Sequence, residues 1–333
     1  MNDHGEIVGI TSTVPVEIIY AAGRVPVDIN NAFITSKDPA ALVRRAKMEG
    51  FPDTTCSWIC GLYGAVLERG IRTVVGVTGG DCAETIALME VLSLRGIDVI
   101  PFSYPHGRDP VSLRAEIDGF AERFGIGMER AEEEKKRLDH IRRRIHHLDR
   151  LLWEEDKALG GEIQLLQLGS SDFEGNPDSY LVKIEDRTAE IESRKPLETV
   201  LRLGFTGVPP IISDLYDVIE RDGVRVVFSE VQRQFTLPFG GTIGESYTRY
   251  TYPYGIFARA EDIALEVRRR RIDGIIHYVQ AFCFRGIEDI ALRREIGVPV
   301  LTLQGDLPTH VTETMRLRIE AFVDMLHRRR ERG

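Results

Sequence analysis

The sequence predicts an α/β protein with two parallel-sheet units separated by a charged helical segment. Arg72–Val77 is the near-continuous apolar run expected of a buried parallel strand. It leads through Thr78-Gly79-Gly80 into an amphipathic stretch, Cys82–Arg95, and a second apolar run, Ile97–Phe102, which together make a βαβ unit. The same alternation returns from Val200 onward. Between the two, Pro110 to about Leu159 is helical in pattern and dense in charge.

In the first unit, Ile7–Thr11 reads as a short strand feeding a helix over Val14–Gly23, with Pro15 in its first turn and Gly23 past its end. Val25–Ile29 is the next strand, and Asp38 caps a helix over Pro39–Met48. Asp53–Gly70 opens with capping residues and continues at helical spacing. Within it Cys56 and Cys60 are four apart, which on a helix puts both thiols on one face with Cβ atoms roughly 6 Å apart. Cys82 falls in the first turn of the helix after the glycine turn.

The charged middle reads as a long solvated helix pair, with His140, His146 and His147 as surface residues and no metal assigned to them. Gly160–Pro196, rich in glycine and serine, reads as an irregular connection interrupted by a short helix. The expected boundaries are therefore 1–109, 110–196 and 197–333. In the last part, Val200–Phe205 and Val224–Phe228 are strands flanking a helix over Ile211–Arg221. Ser229–Tyr254 is a long polar-aromatic loop that either lines a site or covers a core. Ala260–Arg271 is a helix whose terminal arginines, Arg268–Arg271, oppose the negative end of its dipole. Gly274–Val279 is a strand, Cys283 leads into a helix, Val298–Leu303 is the last strand and Thr312–Arg328 the closing helix.

A hydrophobic content of 43% over 333 residues supplies a core for each of two domains. Lys+Arg 43 against Asp+Glu 52 gives a net charge of −9, which repels a phosphate backbone, so no nucleic-acid partner is expected. The N-terminus shows no leader pattern and no run approaches the ~18 apolar residues of a membrane span; a cytoplasmic location and no membrane partner are expected. Thr78-Gly79-Gly80 is not a dinucleotide fingerprint, and no Gly-Lys pair is present for a Walker A loop, so any ATP is bound by another chain.

Four cysteines in a reducing compartment are either small buried residues or ligands and reactive thiols. Cys82 and Cys283 fall just beyond the carboxyl ends of strands, where open parallel sheets bind ligands. Cys56, Cys60, Cys82 and Cys283 all lie near helix starts, whose free N–H groups favour thiolates. Soft thiolates select iron–sulfur clusters, zinc or copper(I). Spacing alone leaves a shared site and four unconnected cysteines both open.

Val14–Gly23, Thr55-Cys56-Ser57-Trp58-Ile59, Val77-Thr78-Gly79-Gly80-Asp81-Cys82 and His277-Tyr278-Val279-Gln280-Ala281-Phe282-Cys283 resemble the D-type chains of the 2-hydroxyacyl-CoA dehydratase family. That family includes 2-hydroxyglutaryl-CoA dehydratase components, benzoyl-CoA reductase subunits and double-cubane cluster proteins. The resemblance spans Ile7–Pro105 and Val200–Leu326 and leaves the charged middle uncovered. It implies two Rossmann-like domains facing a cleft, with the helical segment inserted between them. It also implies a [4Fe-4S] cluster held by Cys56, Cys82 and Cys283, and oxygen sensitivity. In such dehydratases an ATP-dependent iron-sulfur activator protein injects one low-potential electron, the substrate thioester becomes a ketyl radical, hydroxide leaves and a β-proton is removed.

The chain would then be a dehydratase (lyase) or reductase component, paired with a second copy of itself or a related subunit. Glu84, Glu230 and Glu288, each near a strand end or helix start, are candidates for the proton-removing base. Cys60 departs from the family pattern. As a fourth ligand it would close the cluster and suit a non-catalytic electron-transfer or assembly partner. A zinc-stabilised binding protein is a third reading. Four cysteines are too few for a double cubane, and the short chain leaves little room for a dedicated acyl-CoA pocket.

Overall fold

In the computed structural model, which describes residues 5–332, all strand pairings are parallel and the strands form two sheets of four. The first half runs β1 (Ile7–Ile10), α1 (Val16–Ala21), β2 (Val25–Asp28), α2 (Ile29–Ile34), α3 (Pro39–Met48), α4 (Ser57–Arg69), β3 (Thr73–Gly79), α5 (Glu84–Leu94) and β4 (Asp98–Ser103). Four helices follow: α6 (Pro110–Arg123), α7 (Met128–Trp153), α8 (Gly160–Gly169) and α9 (Pro177–Glu192). The second half runs β5 (Leu201–Gly207), α10 (Leu215–Ile219), β6 (Val224–Ser229), α11 (Glu230–Phe235), α12 (Ile243–Arg249), α13 (Ile256–Arg270), β7 (Gly274–Gln280), α14 (Asp289–Glu295), β8 (Val300–Gly305) and α15 (Glu313–Glu331).

The strand orders, β2-β1-β3-β4 and β6-β5-β7-β8, are the same order twice. In each sheet the chain steps outward from its first strand, then crosses to that strand's other side. The loops after β1 and β3, and after β5 and β7, therefore diverge from a switch point, the place where such sheets leave a crevice. β3 and β7 read as apolar runs because they are central: β7 is buried at every position and β3 over its first five. Strand β2 stops one residue earlier than expected because Asp28 turns to cap α2, accepting the Asn30 N–H at 2.9 Å.

The charged middle differs most from expectation. Instead of a solvated pair, α7 buries Leu138, Ile141, Ile145 and Leu148 and packs against α1 and α9. Its buried face also carries two cations. Arg142 meets Glu17 and Asp139, each at 2.8 Å, and Lys135 meets Asp139. Charge on this helix is part of its packing, which a polarity pattern cannot distinguish from solvation. His140 is exposed as expected, but His146 is largely buried against Thr236, within hydrogen-bond reach of its carbonyl at 3.1 Å.

Gly160–Pro196 is regular, not irregular. It forms α8 and α9, and α8 lies on β6 and α11 of the second half, with the Gly160 and Gly161 N–H groups donating to Glu220, each at 2.8 Å. Ser229–Tyr254 is likewise folded, containing α11 and α12. From it Tyr247 donates to Val14 O at 2.8 Å and Tyr250 to Thr13 Oγ1 at 3.1 Å, so this segment straps the second half onto the first. The helix expected over Ile211–Arg221 shortens to α10. Arg268 and Arg271 are exposed at the end of α13, in keeping with the dipole, but Arg270 is a core residue paired with Asp149 and Glu266. No helix among the described residues is long and apolar enough to cross a membrane.

Candidate metal centre

At the carboxyl end of β3 the chain turns at Gly80, with φ +89, the left-handed region that glycine adopts without cost. A Cβ there would stand 2.6 Å from Pro253 O and 2.9 Å from Tyr104 Cβ, so backbone from the second half packs directly on this turn. Asp81 and Cys82 follow, and α5 begins only at Glu84, so Cys82 precedes its helix instead of lying in the first turn. At the matching end of β7, Phe282 takes φ +65 and Cys283 caps a short 3-10 turn, Phe284–Glu288. A bulky residue in the left-handed region costs roughly 1–2 kcal/mol, a strain typical of functional loops. Cys56 is the residue before α4, with φ −52 and ψ 132.

These three cysteines line one cavity of about 110 Å³. One part of its wall is polar, from Thr11, Ser12, Thr13, Asp28, Asn30, Asn31 and Asp81; another is apolar, from Trp58, Ile59, Leu62, Val208 and Val231. Ligand pockets for organic molecules run about 300–1,000 Å³, so this space suits a compact inorganic group. A larger open groove of about 810 Å³ adjoins it, sharing Ile34 and Leu168 and lined also by Lys37, Gln164, Tyr216 and His310.

Cys60 does not line the cavity. The i, i+4 argument requires both residues to be helical, and Cys56 is not. Cys60 lies inside α4, fully buried within the apolar core. Regular helical spacing therefore does not by itself put both thiols on one face.

Burial dominates the thiols' electrostatics. It pushes Cys56 up to about 12, against the N–H groups of Trp58 and Ile59, with Cys82 adding to the rise. Cys82 goes up to about 11, mainly by burial, opposed by the Glu84 N–H and reinforced by Asp81, Glu84 and Cys283. Cys283 is raised by burial and eased by Arg285. Cys82 is thus coupled to Cys56 on one side and to Cys283 on the other. Cys60 is raised by burial to about 11 as well, but its charged neighbours are Lys47, Glu84 and Asp306.

None of the three candidate bases lines the cavity. Glu230 is fully buried and held by Arg259 through two bonds, 2.7 and 2.9 Å, and by the Gly207 N–H at 3.2 Å. Burial pushes its carboxyl upward, but Arg259 wins and holds it below the ordinary range. Glu288 pairs with Arg259 and, at 3.0 Å, with Arg285. Glu84 stands at the start of α5, raised by burial and eased by the Cys56 N–H. The carboxyls in the wall are Asp28 and Asp81, both raised by burial. Thiol chemistry alone does not point to either one, although Asp28 ends β2 and Asp81 follows β3, the strand-edge signal that draws attention to Cys82.

The profile of 2-hydroxyglutaryl-CoA dehydratase, D-component, matches residues 11–326. The chain belongs to this family. The match spans the charged middle, which the resemblance read from the sequence left uncovered. A search of curated proteins returns no match.

The donor set fits a cubane held by three thiolates. Among the described residues no three His, Cys, Asp or Glu side chains converge on a point for a single ion. A cubane spreads its thiolates over separate irons, and the demand is then that they line one cavity, as Cys56, Cys82 and Cys283 do. Two buried polar atoms of wall residues, Trp58 Nε1 and Gln280 Oε1, have no partner within the protein.

Proposed function

We propose that Cys56, Cys82 and Cys283 hold a [4Fe-4S] cluster with one iron free of protein ligands. The chain then takes part in ATP-activator-driven, low-potential one-electron reduction or radical dehydration of a 2-hydroxyacyl-CoA-like substrate. The carrying observation is that three of the four cysteines, Cys56, Cys82 and Cys283, line one small cavity beyond the carboxyl ends of the two sheets, and the fourth, fully buried, does not line it. When bound, the cluster supplies one-electron redox chemistry.

The protein's own part is to exclude water, to supply thiolates at the open starts of α4, α5 and a 3-10 turn, and to hold protons nearby. Bound iron keeps thiols deprotonated despite burial. Asp28 and Asp81, raised by burial, are suited to hold a proton at the cavity wall. The adjoining groove, of a size for an organic ligand, supports an approach of substrate past Ile34 and Leu168. Around Cys283, Phe282, Phe284, Ile287 and Ile290 are exposed, which supports docking of the activator or of a related subunit there. The absence of a Walker A loop agrees with ATP hydrolysis residing in the activator.

Anaerobic purification with iron and acid-labile sulfide analysis tests the reading. Iron and sulfide in near-equal amounts, retained in Cys60→Ala and lost in Cys56→Ala, are the expected result. Zinc without sulfide overturns it. Loss of the cluster in Cys60→Ala would instead favour a fully ligated electron carrier.

A further inference from the structure

Arg285 follows Cys283 by two residues, yet its side chain reaches the other half. Its Nη2 donates to Gly80 O at 3.3 Å, two residues before Cys82, and to Tyr252 O at 2.8 Å. Its Nη1 meets Glu288 Oε1 at 3.0 Å, and the guanidinium lies 4.3 Å from the centre of the Tyr252 ring. The side chain is 6% exposed, so these bonds form out of water. Behind it Glu288 pairs with Arg259, Arg259 with Glu230, and Glu230 accepts from Gly207 N, so one buried chain of ion pairs runs from the end of β5 to the end of β3. Both acceptors are themselves fixed, because Gly80 is packed against Pro253, the neighbour of Tyr252.

We propose that Arg285 is a positioning residue that sets the separation of the two loops carrying Cys82 and Cys283. The role rests on the cluster reading for its purpose, because a rigid inorganic group binds well only when its ligands are already spaced for it. The planar guanidinium is what this junction requires. Its donors diverge in a fixed fork and meet two carbonyls and a carboxylate together, whereas a lysine ammonium is a single point on a flexible stem.

The test compares wild type, R285Q and R285K. In metal-free protein, cross-linking of Cys82 to Cys283 by a short bifunctional thiol reagent is counted by mass spectrometry. After anaerobic reconstitution, iron release to a chelator and the EPR spectrum of the reduced protein are recorded. R285Q is expected to lower the cross-linking yield, to release iron about tenfold faster, the scale of outer-shell losses at metal sites, and to alter the spectrum. Its metal-free form should melt near the wild-type temperature, and R285K should recover part of each effect.

Wild-type cross-linking and release in R285Q overturn the proposal. So does a large drop in melting temperature with proportionate iron loss, which would make Arg285 a stability residue only. Should R285Q fail to fold, R285K decides: a yield below wild type supports the role and an equal yield overturns it. If wild type takes up no iron and sulfide while cross-linking still depends on Arg285, the cluster reading fails and the positioning role stands.

Discussion

In the first half, the helix that precedes the central strand, α4, begins just after Cys56, and the loop beyond that strand carries Cys82. In the second half, the corresponding helix, α13, begins just after Gly255, and the loop beyond β7 carries Cys283. One topology is thus used twice, with two thiols on one side and one on the other. The surroundings of the cavity differ in charge as well. The first half lines it with Asp28 and Asp81, both raised by burial; the second lines it with no carboxylate and holds Arg259 and Arg285, balanced by Glu230 and Glu288, outside the lining. The shared frame places the loops, and the differences decide which chemistry each side contributes.

The largest expected effect tests the equivalence of the two loops. Cys82→Ala and Cys283→Ala should each abolish iron and sulfide retention on anaerobic gel filtration; full retention in either one breaks the symmetry. Next comes the buried chain of ion pairs in the second half. Arg259→Met leaves Glu230 buried without its cation, and a loss of about 3–5 kcal/mol is expected in the denaturation free energy. A change below about 1 kcal/mol would mean that this chain is no more coupled than a surface pair.

A pH effect is expected from Asp172, in the turn between α8 and α9, and its first-half neighbour Asp28. Burial and the neighbouring Asp28 carboxylate push Asp172 up to about 7, above the ordinary ~3.9. The folded state then keeps a proton that the unfolded chain releases, so this pair's contribution to stability is present below about pH 4 and declines as pH rises toward about 7. Urea midpoints for wild type should fall across that window, and Asp172→Asn should flatten the fall; an unchanged slope removes the pair from the account. The smallest effect is Cys60→Ala, expected to cost about 1 kcal/mol of packing and no iron.

Much of the fold is legible in the sequence because central parallel strands are covered on both faces. Thr73–Gly79 and Gly274–Gln280 carry that pattern without needing to know their neighbours. The α7 packing is not legible, because beside its local partner Asp139 the buried Arg142 pairs with Glu17, 125 residues away, which no local pattern reveals. At the site, the strand-edge rule finds Cys82 and Cys283, but applied to thiols alone it passes over Asp28 and Asp81. Cys60 stands four residues from Cys56, but i, i+4 spacing says nothing about where a helix begins, and Cys56 precedes α4 with ψ 132. Arg285 cannot be found locally either, since its acceptors at Gly80 and Tyr252 belong to loops distant in sequence.

The division of the cavity between halves also imposes an order on biogenesis. About 200 residues separate Cys82 from Cys283, so at typical synthesis rates of roughly 5–20 residues per second the nascent chain carries Cys56 and Cys82 for some 10–40 s before their counterpart exists. The tyrosine strap, bearing Tyr247 and Tyr250, emerges in that interval and Cys283 only after it. A group that needs all three thiols therefore cannot be seated during translation of the first half. Insertion of such a group would be a late event, after the strap that joins the two halves has been made.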